Sequence, residues 1–162
     1  MRRVIGIDPG SRKTGYGIIE IEGSTIRYLA SGNISVVDEV FPKRLGTIYS
    51  EVLELVCTYR VDEMSIEDVF VARNPNSALK LGQARGVAIA AGIAQDLEIF
   101  EYAARAVKKA IVGKGSASKA QIQHMVRVLL NLPGIPQPDA ADGLAIALCH
   151  AHTSMNPVLL ND

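Results

Sequence analysis

The run Val4-Ile5-Gly6-Ile7-Asp8-Pro9-Gly10 predicts a short apolar strand, from about Arg3 to Asp8, that ends in a turn. Proline stops the strand because it lacks an amide donor, and glycine tolerates turn conformations that other residues avoid. A second strand is expected from Thr14 to Ile21, and Glu22-Gly23-Ser24 joins it to a third strand from about Thr25 to Val37. Such short connections predict an antiparallel meander at the start of a sheet.

After the meander, the sequence predicts alternating helices and strands. Lys43 to Tyr59 places apolar residues at three- and four-residue steps, which is the period of an amphipathic helix. Further strands are expected at Met64 to Phe70 and Glu98 to Glu101, with helices over 74–94, 104–111, 118–130 and from 139 onward. This order predicts an α/β domain with a five-stranded mixed sheet, three antiparallel strands leading, and helices on both faces.

Length and composition fit one compact domain. The chain has 162 residues, 48% of them hydrophobic, which is enough apolar surface for a core. We expect the domain to span residues 1–153 and to be followed by a loose C-terminal tail at 154–162.

No apolar run reaches the roughly 18 residues of a membrane span, and no secretory segment opens the chain, so a cytoplasmic protein without membrane contacts is expected. Cys57 and Cys149 fit neither a disulfide framework nor a zinc site.

Charge is balanced overall but unevenly distributed along the chain. There are 17 basic and 17 acidic side chains, yet residues 69–95 and 103–138 contain no Asp or Glu. The basic residues of these two segments are Arg73, Lys80, Arg85, Arg105, Lys108, Lys109, Lys114, Lys119 and Arg127. A surface that follows phosphates requires such segregation, because neutralising phosphates supplies most non-specific affinity for nucleic acids. A solvated basic face would give the same pattern, so charge alone leaves both interpretations open.

Two glycines, Gly82 and Gly86, lie four residues apart in the predicted helix over 74–94. Their spacing would let another backbone approach this helix closely. The neighbouring backbone would belong either to the same chain or to a second subunit.

Four acidic residues stand where a charge is difficult to explain by structure alone. Asp8 ends the first strand, Glu67 interrupts the apolar fourth strand, and Asp139 and Asp142 open the last helix. Taken singly, Asp8 is explained as a turn residue, Asp139 as a helix cap, and Glu67 as an edge or protonated side chain. Adjacent central strands would instead bring Asp8 and Glu67 to one end of the sheet. Residues three apart share a helix face, so all four carboxylates could converge.

Converging carboxylates predict a particular chemistry. They raise one another's pKa unless divalent cations bind between them. All-oxygen ligand sets suit Mg²⁺ or Mn²⁺. Two such ions support in-line displacement at phosphorus, because one activates water and the other stabilises the leaving oxygen. The predicted reaction is therefore phosphodiester hydrolysis.

Four separated motifs occur in order along the chain: Ile5 to Gly17, Ile66 to Phe70, Asn76 to Gly86 and Asp139 to Ala145. Together they resemble the RuvC family of bacterial crossover-junction endodeoxyribonucleases, which resolve Holliday junctions and have a ribonuclease H-like fold. The resemblance runs from about residue 2 to 153. Four motifs in the right order are specific, whereas the Asp8-Pro9-Gly10 turn alone is a weak signal.

The resemblance implies a homodimer that cuts two opposing strands of four-way junction DNA symmetrically, in recombination and repair. It implies two Mg²⁺ ions per active site, replaceable by Mn²⁺, products with 5′-phosphate and 3′-hydroxyl ends, and the RuvA and RuvB branch-migration proteins as partners. It also implies a bacterial cytoplasmic enzyme that joins the nucleoid when acting. By the same resemblance, the metal ligands are Asp8, Glu67, Asp139 and Asp142.

Other residues are assigned to DNA by the same resemblance and by charge. Lys108 and Lys119 match positions near the scissile phosphate, where lysine would stabilise the charge of the transition state. Phe70 is expected to stack on a base opened at the crossover, with an ordinary core position as the alternative. Contacts to the DNA backbone are expected from Arg73, Lys80, Arg85, Lys109, Lys114 and Arg127.

Two other functions remain open at this stage. The Asp8-Pro9-Gly10 turn also resembles the phosphate loop of actin-like ATPases and sugar kinases, but those proteins need a second domain that 162 residues do not supply. A non-catalytic junction-binding protein on the same fold is the other alternative, and the intact acidic quartet argues against it.

His150 and His152 lie two apart on a predicted helix and do not face each other, so packed or solvent-facing histidines are expected instead of a metal site.

Overall fold

The computed structural model describes residues 1–69 and 74–156. In this part of the chain, five strands and five helices follow one another. They are β1 (Arg2–Asp8), β2 (Lys13–Glu22), β3 (Thr25–Ser35), α1 (Phe41–Tyr59), β4 (Glu63–Asp68), α2 (Pro75–Ile93), β5 (Glu98–Ala103), α3 (Ala104–Val112), α4 (Lys119–Leu129) and α5 (Pro138–Met155). No described helix is both long and apolar enough to cross a membrane.

The strands form one five-stranded sheet in the order β3-β2-β1-β4-β5. The first three strands are antiparallel to one another, whereas β4 pairs parallel with both β1 and β5. One core, around Ile5, Ile7 and Met64, packs against α1 and α2, while the other, around Val4 and Ile19, packs against α3, α4 and α5. The predicted mixed sheet with helices on both faces is therefore confirmed.

The ends of several elements differ from the prediction. β3 ends at Ser35 instead of Val37, and β5 continues to Ala103. β4 ends at Asp68, and the predicted extension to Phe70 falls partly on residues 70–73, which lie outside the described residues. Because Met155 packs against the core, α5 continues two residues past the predicted domain boundary at 153. Residues 157–162 of the predicted tail lie outside the described residues.

Helix α5 lies directly on the backbone of β1 and β2, at strand positions where only glycine fits. A β-carbon on Gly6, Gly15 or Gly17 would come within 2.1, 2.2 or 2.4 Å of backbone atoms of α5. At Gly15 the nearest atom is the main-chain oxygen of Asp139. The contact therefore fixes the first turns of α5, which carry two of the predicted site residues, against the ends of two strands.

The two glycines of α2 behave differently. A β-carbon on Gly82 or Gly86 would meet no described atom within 4 Å. Within residues 1–69 and 74–156, the predicted close approach of another backbone does not occur, because α2 packs through Ala84, Ala88 and Ala91 and leaves these glycines on its outer side. The other expectation, contact with a second subunit, stays a prediction.

We predict that Gly17→Ala destabilises the protein, because the added methyl group would lie 2.4 Å from the main-chain nitrogen of Leu144 and would push α5 away. The expected loss in the free energy of unfolding is about 1–3 kcal/mol, measured by urea titration. Gly46→Ala in α1 is the matched control, since a β-carbon there meets nothing within 4 Å. This control is expected to gain about 0.5–1 kcal/mol from helix propensity. Equal effects of the two substitutions would contradict the packing explanation.

Candidate active site

The site begins where the two central parallel strands end side by side. Ile7 of β1 is the register partner of Ile66 of β4, so the next residues, Asp8 and Glu67, stand side by side near the ends of these strands. Both side chains line a cavity beside α5 and are close enough to share a hydrogen bond. The prediction that adjacent strands would deliver these carboxylates to one end of the sheet is confirmed.

Helix α5 supplies the third carboxylate, that of Asp142. The cavity has a volume of about 250 Å³ and lies between the strand ends and helices α3, α4 and α5. Its lining residues are Asp8, Glu67, Ala104, Val107, Lys108, Ala117, Lys119, Ile122, Asp142, Ala145 and Ile146. The polar groups are thus three carboxylates and two ammonium groups, set among small and branched apolar side chains that reduce the hydration of the charges.

The protonation of this cluster follows from burial and like charge. Burial raises the pKa of Asp8 to about 8, and the charges of Glu67 and Asp142 add to the shift, while Lys119 opposes it. Burial and Asp142 also raise the pKa of Glu67, although the hydrogen bond from Asp8 and the two lysines act in the other direction. The two carboxyl groups therefore favour sharing one proton across the hydrogen bond between them.

The two lysines predicted to lie near the reacting phosphate line the same cavity. The Nζ atom of Lys119 is 3.4 Å from Oδ2 of Asp142, and this carboxylate is the main cause of the raised pKa of Lys119. Lys108 projects from α3, and its charge lowers the pKa of Glu67. Lys119 opens α4, whose start is fixed by a capping box between Ser118 and Gln121.

Asp139, the fourth predicted carboxylate, is not among the residues that line the cavity. It lies in the first turn of α5, where the backbone is held against Gly15, and its charge raises the pKa of Lys119. Across residues 1–69 and 74–156, no three Asp, Glu, His or Cys side chains form a group that could hold a metal ion. The chain therefore brings three predicted carboxylates to one cavity without the full convergence of four that the sequence suggested.

The other predicted DNA contacts divide into three sets. Phe70 and Arg73 lie outside the described residues. Lys109 and Lys114 are exposed at the end of α3 and just after it, and Arg127 is half-buried on α4. Lys80 of α2 places its Nζ atom 5.5 Å from the ring centroid of Phe41, at the junction of α1 and α2.

Arg85 lies in a different environment from the other basic residues. It is predicted to contact DNA, but its side chain is only 17% exposed and forms an ion pair with Glu101 at 2.9 Å. Its Nε atom also donates to the main-chain oxygen of Glu67. Its role as a DNA contact stays a prediction, and the acid-free stretch of sequence did not reveal that a later strand brings Glu101 near.

Sequence reasoning missed the group that shapes the turn after Asp8. The buried Thr14 hydroxyl donates to the main-chain oxygen of Gly10 at 3.1 Å and lies 3.4 Å from its amide nitrogen. A threonine shortly after a Pro-Gly turn was the available signal.

The expectation of a packed histidine is confirmed for His150, which is 2% exposed and lies between Tyr102 and Glu63, at 2.7 and 2.8 Å.

We predict that Asp8→Asn stabilises the protein at neutral to alkaline pH in the presence of a chelator. Folding raises the pKa of Asp8 from 3.8 to about 8, so the folded state binds the proton more tightly than the unfolded chain. The free energy of unfolding therefore falls as pH rises between these values and levels off above them. Removing the carboxylate should recover about 1–3 kcal/mol at pH 8.5 and much less at pH 4.5, by urea titration.

Asp38→Asn is the control, because Asp38 is exposed and lies outside the cavity. It should change stability little at either pH. A stabilisation by Asp8→Asn that is the same at both pH values would contradict a raised pKa at Asp8.

Comparisons with known proteins agree with this geometry. The sequence model of the RuvC family, crossover junction endodeoxyribonuclease RuvC, matches residues 4–150. The crossover junction endodeoxyribonuclease RuvC of Serratia proteamaculans is 56% identical over 162 residues, which cover 100% of this chain and 94% of that protein. Thermus thermophilus RuvC, solved in complex with Holliday junction substrate, is 33% identical, with 96% of each chain covered and a TM-score of 0.89. A second Thermus thermophilus RuvC structure is 34% identical and covers 94% of this chain and 95% of that one, with a TM-score of 0.84. The fold is accordingly ribonuclease H-like, and the chain belongs to the RuvC family of crossover junction endodeoxyribonucleases.

Proposed function

We propose that this endonuclease resolves four-way DNA junctions, by paired symmetric nicks, in recombination and repair. The observation that carries the proposal is the cavity in which Asp8, Glu67 and Asp142 face Lys108 and Lys119. Carboxylates and ammonium groups at one small site suit a reaction at a phosphodiester, whose charge is negative and increases locally as the bond breaks. The structure of a Thermus thermophilus RuvC in complex with Holliday junction substrate supports junction DNA as the substrate.

The chemistry of the donor set suits a hard divalent cation, which would have to draw the three carboxylates closer together than they stand among the described residues. Burial raises the pKa of Asp8 to about 8, the charges of Glu67 and Asp142 add to the shift, and a cation would relieve the repulsion among the three carboxylates. Asp8, Glu67 and Asp142 would hold Mg²⁺ or Mn²⁺, with Asp139 as a further ligand from the same helix. Two bound ions would supply activation of water and stabilisation of the leaving oxygen.

The chain's own residues have separate tasks in this reaction. Lys108 and Lys119 would bind the scissile phosphate and stabilise its growing charge, for which Lys119 must exchange its partner Asp142 for the phosphate. Val107, Ile122 and Ala145 would limit the access of water around the phosphate. Hydrolysis of the bond between phosphorus and the 3′ oxygen leaves a 5′-phosphate and a 3′-hydroxyl, with one water proton passing to the leaving oxygen.

Symmetric nicking of two strands calls for two active sites, and we propose a homodimer. The outer face of α2 supports this assembly: Leu79 is 69% exposed, Ile93 is 58% exposed, and Gly82 and Gly86 leave open space between them. Apolar residues along an exposed helix face are typical of a contact between subunits.

Family membership further suggests RuvA and RuvB as partners and a cytoplasmic enzyme that joins the nucleoid when acting.

The path of the DNA is proposed from the basic residues around the cavity. Lys109, Lys114 and Arg127 belong to the acid-free segment that surrounds α3 and α4, so they are suited to contact the phosphate backbone. Phe70 is proposed to stack on a base at the crossover, and Arg73 and Lys80 to contact the backbone nearby.

We predict that the parent protein cleaves a synthetic four-way junction, but not a linear duplex, and only when Mg²⁺ is present. Glu67→Gln, Asp139→Asn and Asp142→Asn should each lower the cleavage rate by a factor of about 100 or more, with little loss of junction affinity, because these residues act through the cation. Rates come from gel assays and affinities from binding titrations in Ca²⁺. Cleavage at the parental rate by any one variant would remove that residue from the site, and cleavage without divalent ions would refute the proposed chemistry.

A second prediction concerns the dependence of binding on salt. Lys114→Ala should weaken junction affinity and make the plot of log Kd against log salt concentration shallower by about one unit, because one phosphate contact is lost. Lys43→Ala is the control, since Lys43 is an exposed lysine of α1 that belongs to neither acid-free segment of the sequence. A slope that Lys114→Ala leaves unchanged would show that Lys114 does not contact DNA.

A further inference from the structure

Arg85 reaches the active-site end of the sheet from the face opposite the cavity. It lies on α2, which packs on one side of the sheet, whereas the cavity is formed on the other side with α3, α4 and α5. Its side chain is 17% exposed and extends to the last residues of β4 and β5. A guanidinium group held inside the protein is poorly placed to receive a phosphate.

The contacts of Arg85 connect the two strands at the point where they end. The Nε atom donates to the main-chain oxygen of Glu67 at 3.0 Å. The Nη2 atom lies 2.9 Å from Oε2 of Glu101 on β5 and 3.8 Å from Oδ1 of Asp68 on β4. The Nη2 atom makes no hydrogen bond of good geometry, so Glu101 and Asp68 hold the guanidinium by charge, and the Nε hydrogen bond to Glu67 supplies the direction.

The atom that Arg85 holds belongs to a residue of the carboxylate cluster. Glu67 is the second-to-last residue of β4 and pairs with Tyr102 of β5, close to the point where the strand ends. Fixing the carbonyl of a residue restricts its main-chain torsions, and these set the direction of its side chain. The Glu67 carboxylate lies on the far side of the sheet, in contact with Asp8.

We propose that Arg85 is a positioning residue for DNA cleavage, which holds the Glu67 carboxylate in the cavity by anchoring the main-chain oxygen of Glu67. This inference rests on the proposed nuclease function and on the role of Glu67 in it. Arg85 contacts neither the DNA nor the cation in this account. Its loss therefore affects the rate of the chemical step and the response to Mg²⁺, while junction binding is retained.

Arg85→Met and Arg85→Lys test the proposal in the full-length protein with a four-way junction and Mg²⁺. With enzyme in excess, Arg85→Met should lower the single-turnover rate by a factor of about 10 to 100, since small displacements of a reacting group have effects of this size. It should also raise the Mg²⁺ concentration at half-maximal rate. The junction Kd in Ca²⁺ should change by less than about twofold, with the same salt dependence. Arg85→Lys keeps the charge and can donate to Glu67, so it should recover part of the rate.

Lys43→Met on α1 is the control for a lost surface charge and should leave every measured quantity at the parental value. A weaker Kd and a shallower salt slope for Arg85→Met, with an unchanged rate at saturating enzyme, would make Arg85 a DNA contact and overturn the proposal. Parental rates and Mg²⁺ response in Arg85→Lys and Arg85→Met would also overturn it. If Arg85→Met does not fold, Arg85→Lys decides by the same criteria. Failure of the parent protein itself to cleave would instead refute the nuclease function.

Discussion

The site depends on the contact between the backbone of α5 and the glycines of β1 and β2. A helix normally lies on a sheet at a distance set by the side chains between them, but here a β-carbon on Gly15 would lie only 2.2 Å from the main-chain oxygen of Asp139. The short distance brings the start of α5 to the ends of the central strands, so that Asp142 lines the same cavity as Asp8 and Glu67. Parallel pairing of β1 with β4 sets the position of two carboxylates, and the glycines set that of the third.

The carboxylate cluster destabilises the folded state. Asp8 is raised to a pKa of about 8 because it is buried beside Glu67 and Asp142, and a pair of like charges at such short range destabilises the native state. Lys119 reduces this destabilisation through its 3.4 Å contact with Asp142. Active sites often lower the stability of a protein in this way, since side chains arranged to react with a substrate are rarely in the arrangement that stabilises the fold most. The two apolar cores and the helices packed against them stabilise the fold and offset the destabilising effect of the site.

Strand ends and helix faces made much of this site predictable from the sequence. An apolar strand that ends in Asp8, and an acid inside the strand of Glu67, predict neighbouring carboxylates once the two strands are placed side by side. The partners of charged residues were not predictable in the same way. Arg85 was assigned to DNA because its own segment contains no acid, but Glu101 of β5 reaches it through the fold. Asp139 shares a helix face with Asp142 but is not among the residues that line the cavity, so its role as a ligand stays a prediction.

Diffraction from crystals of this protein soaked in Mn²⁺, with anomalous scattering used to locate the metal, tests the central claim most directly. The account predicts anomalous density between the carboxylates of Asp8, Glu67 and Asp142, with the proton shared by Asp8 and Glu67 displaced by the ion. Mn²⁺ bound elsewhere on the chain, with these three carboxylates unoccupied at a saturating concentration, would contradict it.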